Sequence, residues 1–168
     1  MMAKKPAFTL IEVITVLLVI SLGMVGTLTL ISQNIKSQSV NEKTIIAYQL
    51  AQEGIELIRN FRDTAWNNGV DFCFSNNPDG DEIIMDYLDV VPFTISNQSE
   101  GDLYFDENGM YRHGLLGFPK SGFNRVMSVK AISNEIPTTK VTVTVDVSWE
   151  DRGKPYVYSL ETQLYDWK

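Results

Sequence analysis

Few side chains in this sequence are of types that do chemistry, and their spacing decides what each can do. His113 is the single histidine and Cys73 the single cysteine among 168 residues. A standard zinc site takes four nitrogen, sulfur or oxygen ligands, and an intrachain disulfide takes two cysteines, so neither is expected. The sequence carries no Cys-x-x-Cys, phosphate loop or nucleophile elbow, and the expectation is a chain that is not an enzyme. Asp79, Asp81, Glu82 and Asp86 crowd one stretch and offer oxygen ligands of the kind Ca²⁺ takes. Their spacing is not that of an EF-hand loop. A solvated acidic turn is the leading expectation there, with calcium as the weaker one and no other cofactor implied. Asn97-Gln98-Ser99 fits a glycosylation acceptor pattern, a weak signal by itself.

Glu12 is the carboxylate whose surroundings say most. From Phe8 to Ile31, 16 of 24 residues are apolar and Glu12 is the only charge. At about 1.5 Å per residue such a helix is roughly 36 Å long, enough to cross a bilayer core. A carboxylate inside it costs about 3 kcal/mol on insertion scales. It must therefore find a partner, or reach the headgroups from the end of an ordinary anchor. Lys4 and Lys5 precede the apolar run. With them set aside, 12 basic residues stand against 21 acidic ones, a formal −9. The asymmetry predicts a cytoplasmic N-terminus and an extracytoplasmic remainder. A surface so acidic argues against nucleic acid as the main ligand, since phosphate contacts need a basic footprint.

An ordinary secretory signal places its small-residue cleavage site after the apolar region. Here Ser32-Gln33-Asn34-Ile35-Lys36 follows the run, and the small residue precedes it, in Lys4-Lys5-Pro6-Ala7 before Phe8-Thr9-Leu10-Ile11-Glu12. This order resembles the class III signal of type IV prepilins and pseudopilins. The resemblance implies cleavage between Ala7 and Phe8 and N-methylation of Phe8 by a prepilin peptidase. Ala7 departs from the family's usual Gly. In the family, the carboxylate at the position of Glu12 pairs with the N-terminal amine of a neighbouring subunit. The implied partners are other pilin subunits, met through the N-terminal helix, and an inner-membrane assembly platform. The implied location is the cytoplasmic membrane as a single-pass protein, and then an extracellular filament.

These residues need a long helix to carry them. Past Ile31 the pattern turns amphipathic, with Ala47, Leu50, Ala51, Gly54, Leu57, Ile58, Phe61 and Ala65 on one face. No proline interrupts residues 8–65, which predicts one continuous helix. Gly23 and Gly26 lie mid-span, as hinge points or as sites of close helix packing. Glu56 with Arg59, and Arg59 with Asp63, are spaced for helical ion pairs. Residues 51–60 also resemble the Ala-x-Glu-Gly-x-Glu stretch of minor pilins.

Turn residues dominate 66–101, which reads as irregular. Strands are predicted at 103–105 and 110–112 around Asp106-Glu107-Asn108-Gly109, at 125–132, at 141–149 and at 156–165. Val141, Val143, Val145, Val147 and Trp149 alternate strictly with polar residues, the mark of a half-buried strand. The aromatics of this half are expected in core and cross-strand pairs.

The predicted class is α+β: a leader (1–7), a membrane or filament-core half-helix (8–31), an amphipathic half-helix (32–65) and an antiparallel sheet head (66–168). The function expected is that of a filament subunit, a minor pilin or a pseudopilin of a secretion system. A pilus-displayed binding module is the alternative, and a membrane-anchored extracytoplasmic domain a weaker one.

Overall fold

Helix α1 (Leu10–Asn67) runs without a break from the apolar segment into the amphipathic one. In the computed structural model the described residues are 9–69, 80–89, 91–115, 117–132 and 140–165. Ala7, Phe8, Cys73 and Asp79 lie outside them. The chain divides into two units, Met1–Asn41 and Glu42–Lys168.

In the first unit, Thr9 stands before the helix as its N-cap. Its hydroxyl oxygen accepts the Glu12 N–H at 3.3 Å. Thr9-x-x-Glu12 thus has the spacing of a capping box, with the Glu12 backbone N–H, not its carboxylate, making the bond. The hydroxyls of Thr15, Ser21, Thr27 and Thr29 each donate to a carbonyl one turn back, at 2.8–3.1 Å. Back-bonds of this kind satisfy each hydroxyl within its own helix. The helix continues through Gly23 and Gly26, and a Cβ added at either would meet nothing within 4 Å.

The second unit begins with the amphipathic part of α1. That helix closes where Gly69 takes φ +69° and its N–H bonds the Trp66 carbonyl. The sheet that follows is built of β1 (Asp81–Ile84), β2 (Phe93–Thr94), β3 (Asp102–Phe105), β4 (Tyr111–His113), β5 (Lys120–Ala131), β6 (Lys140–Asp151) and β7 (Lys154–Tyr165). Every pairing is antiparallel.

β5 is the spine of this sheet. One of its edges pairs with β6 from Phe123 to Ala131, and β7 lies outside β6. Its other edge is shared end to end by β3, opposite Lys120 and Asn124, and by β1, opposite Met127 to Val129. Arg125 falls in the gap between them. β4 flanks β3 and β2 flanks β1.

One face of the sheet covers the helix. Val141, Val143, Val145, Val147 and Trp149 of β6 are buried with Phe123, Met127 and Val129 of β5, against Ala47, Leu50, Ala51, Ile55 and Ile58 of α1. The strict alternation of β6 is the pattern a strand shows when one face is buried and the other wet.

Several expectations need correction. The stretch 66–101 is not wholly irregular, for it holds β1, β2 and a 3₁₀ turn at Gln98–Gly101. β5 starts at Lys120 rather than at 125, because Asp102 and Tyr104 of β3 pair with its first half. β4 is shifted by one residue and ends on His113. Arg59 pairs with Glu56 as expected, whereas Asp63 pairs with Arg62 at 2.7 Å instead of with Arg59.

Candidate functional site

The N-terminal unit is built to be covered by something else. Every described residue from Thr9 to Gln38 is exposed. An 18-residue window of this part of α1 has a mean hydropathy of 2.4 with none of it buried. α1 is thus long and apolar enough to cross a membrane. Leu10, Leu17, Val19, Leu22 and Val25 are each more than 60% exposed, an apolar surface that water would not tolerate. Glu12 sits in the first turn of this surface, with the exposed Val13, Val16 and Leu17 beside it on the same helix. An acidic residue in the first turn also complements the positive end of the helix dipole. Ala7 and Phe8 lie outside the described residues.

The head holds a buried charge cluster that the sequence reading did not single out. Arg125 is fully buried on β5. One of its terminal nitrogens donates to the Met85 carbonyl at 3.0 Å and to Asp86 Oδ1 at 3.2 Å. The other reaches the Leu50 carbonyl at 3.4 Å and Glu53 Oε2 at 3.3 Å. Asp86 Oδ1 also meets His113 Nδ1 at 2.7 Å, and Asp86 Oδ2 accepts the His113 backbone N–H at 2.8 Å. The far nitrogen of the ring, Nε2, lies 3.1 Å from the Arg125 carbonyl. Burial pushes the Asp86 carboxyl up, yet the hydrogen bonds and charge of His113 and the charge of Arg125 outweigh it and hold it below its ordinary value.

This cluster changes the reading of the acidic stretch. Asp86 is 3% exposed and both its oxygens are committed to protein donors, so it is not part of a solvated acidic turn. Asp81 and Glu82 are neighbours on β1 and so project to opposite faces of the sheet. Among the described residues no three His, Cys, Asp or Glu side chains gather closely enough to hold a metal ion.

The cluster joins α1, the segment after β1, β4 and β5. Among the described residues its contacts are ion pairs and hydrogen bonds, and its His–Asp pair is sealed from solvent, 4% exposed on each side. These contacts fasten the four elements to one another. One signal for it was present in the sequence: Arg125 occupies the apolar phase of β5, in register with Phe123, Met127 and Val129. A charge in that phase must be buried with a partner.

No family model matches the chain, and neither a curated protein nor a solved structure matches it.

Proposed function

We propose that the chain is a type IV pilin-like filament subunit, a minor pilin or pseudopilin that assembles through its N-terminal helix and has no enzymatic activity of its own. The observation that carries the reading is the bare apolar stretch of α1 with one carboxylate, Glu12, in its first turn. Lipid covers such a surface while the subunit waits in the membrane, and neighbouring helices cover it once the subunit joins a bundle. The position of Glu12 suits a charge contact that only the bundle supplies. Leaving either charge of such a pair without its partner is costly where the dielectric is low, so the pair rewards one axial register. Lys4 and Lys5 keep the leader cytoplasmic, and the acidic head lies on the other side.

The reading requires that a peptidase cut between Ala7 and Phe8 and that the new amine be methylated. Mass spectrometry of the protein purified from its own host tests this. The expected terminus is N-methylated Phe8, and a terminus at Met1 or Met2 in assembled material would overturn the proposal.

A further inference from the structure

His113 has an acceptor at each ring nitrogen. Nδ1 faces Asp86 Oδ1 at 2.7 Å, and Nε2 faces the Arg125 carbonyl oxygen at 3.1 Å. A carbonyl oxygen only accepts hydrogen bonds, and so does an ionised carboxylate. Asp86 is already the acceptor for Arg125 and for the His113 backbone N–H. A neutral imidazole carries one N–H, so either tautomer would turn a lone pair toward one of these oxygens at hydrogen-bonding distance. The imidazolium alone donates at both positions.

We propose that His113 is held as a buried imidazolium and serves as a pH-operated latch, fastening β4 and the segment after β1 to β5. Charge balance agrees with the geometry. Arg125 and His113 carry two positive charges, and Asp86 and Glu53 two negative ones. The groups facing the ring are Asp86 from the segment after β1 and Arg125 from β5, with Glu53 of α1 reaching the cluster through Arg125. Removal of one proton leaves the cluster net negative and sets a lone pair against an acceptor. Either the tie to Asp86 or the tie to β5 is then lost. The bond from the His113 backbone to Asp86 survives, so the expected result is loosening of β4 and residues 85–86 rather than loss of the head. The tie that needs both ring donors is held while the ring carries both protons and is lost once one of them leaves.

Because the chain has one histidine, histidine labelled with ¹⁵N gives a single pair of ring signals without further assignment. The measurement uses the full chain in detergent micelles. At neutral pH both ring nitrogens should be of the protonated type. On raising the pH one should lose its proton, and amide exchange at 85–86 and 111–113 should accelerate in the same step. An unprotonated ring nitrogen at neutral pH would overturn the proposal. So would a ring that titrates with exchange unchanged, or one that stays charged until the whole head unfolds. His113→Gln supplies a second reading, since glutamine offers a donor and an acceptor but does not titrate. Across neutral to alkaline pH its melting temperature should lack the downward slope of the parent, and an equal slope in both proteins would sink the latch.

Discussion

Gly54 of α1 lies so close to Val145 of β6 that a Cβ built on the glycine would stand 2.9 Å from Val145 Cγ1. The next contacts, Val145 Cγ2 at 3.3 Å and Met127 Sδ at 3.4 Å, leave no free side to move into. Val145 is itself fully buried and cannot swing away. The glycine therefore sets how near the helix comes to the sheet. Ala47 and Ala51, also fully buried, extend the same stripe of small residues.

Gly54→Ala should destabilise the head even though alanine is the better helix former. The gain in helix propensity is about 1 kcal/mol, and overpacking a tight core costs about 1–3 kcal/mol. A net loss of about 1 kcal/mol is expected in urea unfolding. Pairing the change with Val145→Ala should return part of it, because the two side chains compete for one space. Additive losses in the double variant would show that the contact is not the cause.

The Arg125 side chain ties α1 to the segment after β1 through the Leu50 and Met85 carbonyls and the Glu53 and Asp86 carboxylates. Arg125→Met keeps much of the volume and removes every donor. Asp86 then stays buried with one cation fewer, and breaking a buried pair in this way costs about 3–5 kcal/mol. Chemical denaturation measures it, and a loss below about 1 kcal/mol would place the cluster among surface-like pairs.

Acid should release the same cluster. The Asp86 carboxyl titrates below its ordinary value of 3.8 in the fold, so the folded state favours its ionised form. Its contribution is complete above that value and lost as pH falls below it. Urea midpoints of the parent and of Asp86→Asn should differ most near neutrality and converge in acid. A gap that stays constant into strong acid would show that the carboxylate charge contributes nothing.

Sequence patterns revealed the elements that obey a period and hid those that do not. β6 was legible because five apolar residues alternate with polar ones over its whole length, and β7 because it returns antiparallel across a short turn. β1 and β2 were hidden because they span four and two residues, too few for a period, inside turn-rich sequence. Glu12 stood out because it is the one charge in an apolar run. Asp86 did not, because neighbouring acids suggested a solvated turn, and its partners His113 and Arg125 are far along the chain. Long-range pairing of that kind leaves little local trace beyond a charge in the wrong phase of a strand.

The turn between β6 and β7 places Arg152 at φ +52° and Gly153 at φ +75°, the two central positions of a tight hairpin loop. Loops of this shape favour Asn-Gly, and an arginine there holds a left-handed backbone at a cost. Arg152→Asn should raise stability by about 0.5–1 kcal/mol, read as a higher melting temperature. An unchanged or lower value would mean that the arginine side chain compensates through contacts of its own.

The charge of Glu12 has to be separated from the Thr9 cap, since Glu12 is both the charge in the apolar segment and the residue whose backbone N–H the Thr9 hydroxyl accepts. Glu12→Val removes the carboxylate and leaves the backbone bond to Thr9, makes the segment more apolar and should insert in the membrane at least as well. Glu12→Gln keeps a capping side chain and loses the charge, while Thr9→Ala removes the cap and keeps the charge. If the carboxylate pairs with a neighbour's terminal amine, both Glu12 variants should reach the membrane at parental levels. Both should then fail to enter sheared filaments, and Thr9→Ala should assemble nearly normally. A capping role gives the opposite order, with Glu12→Gln close to the parent and Thr9→Ala impaired. The measurement is the subunit in membranes and in sheared filaments from one strain. For a subunit that primes assembly, total filament yield replaces its own abundance. Normal values for Glu12→Val in both fractions would make the carboxylate a bystander and the helix an ordinary anchor.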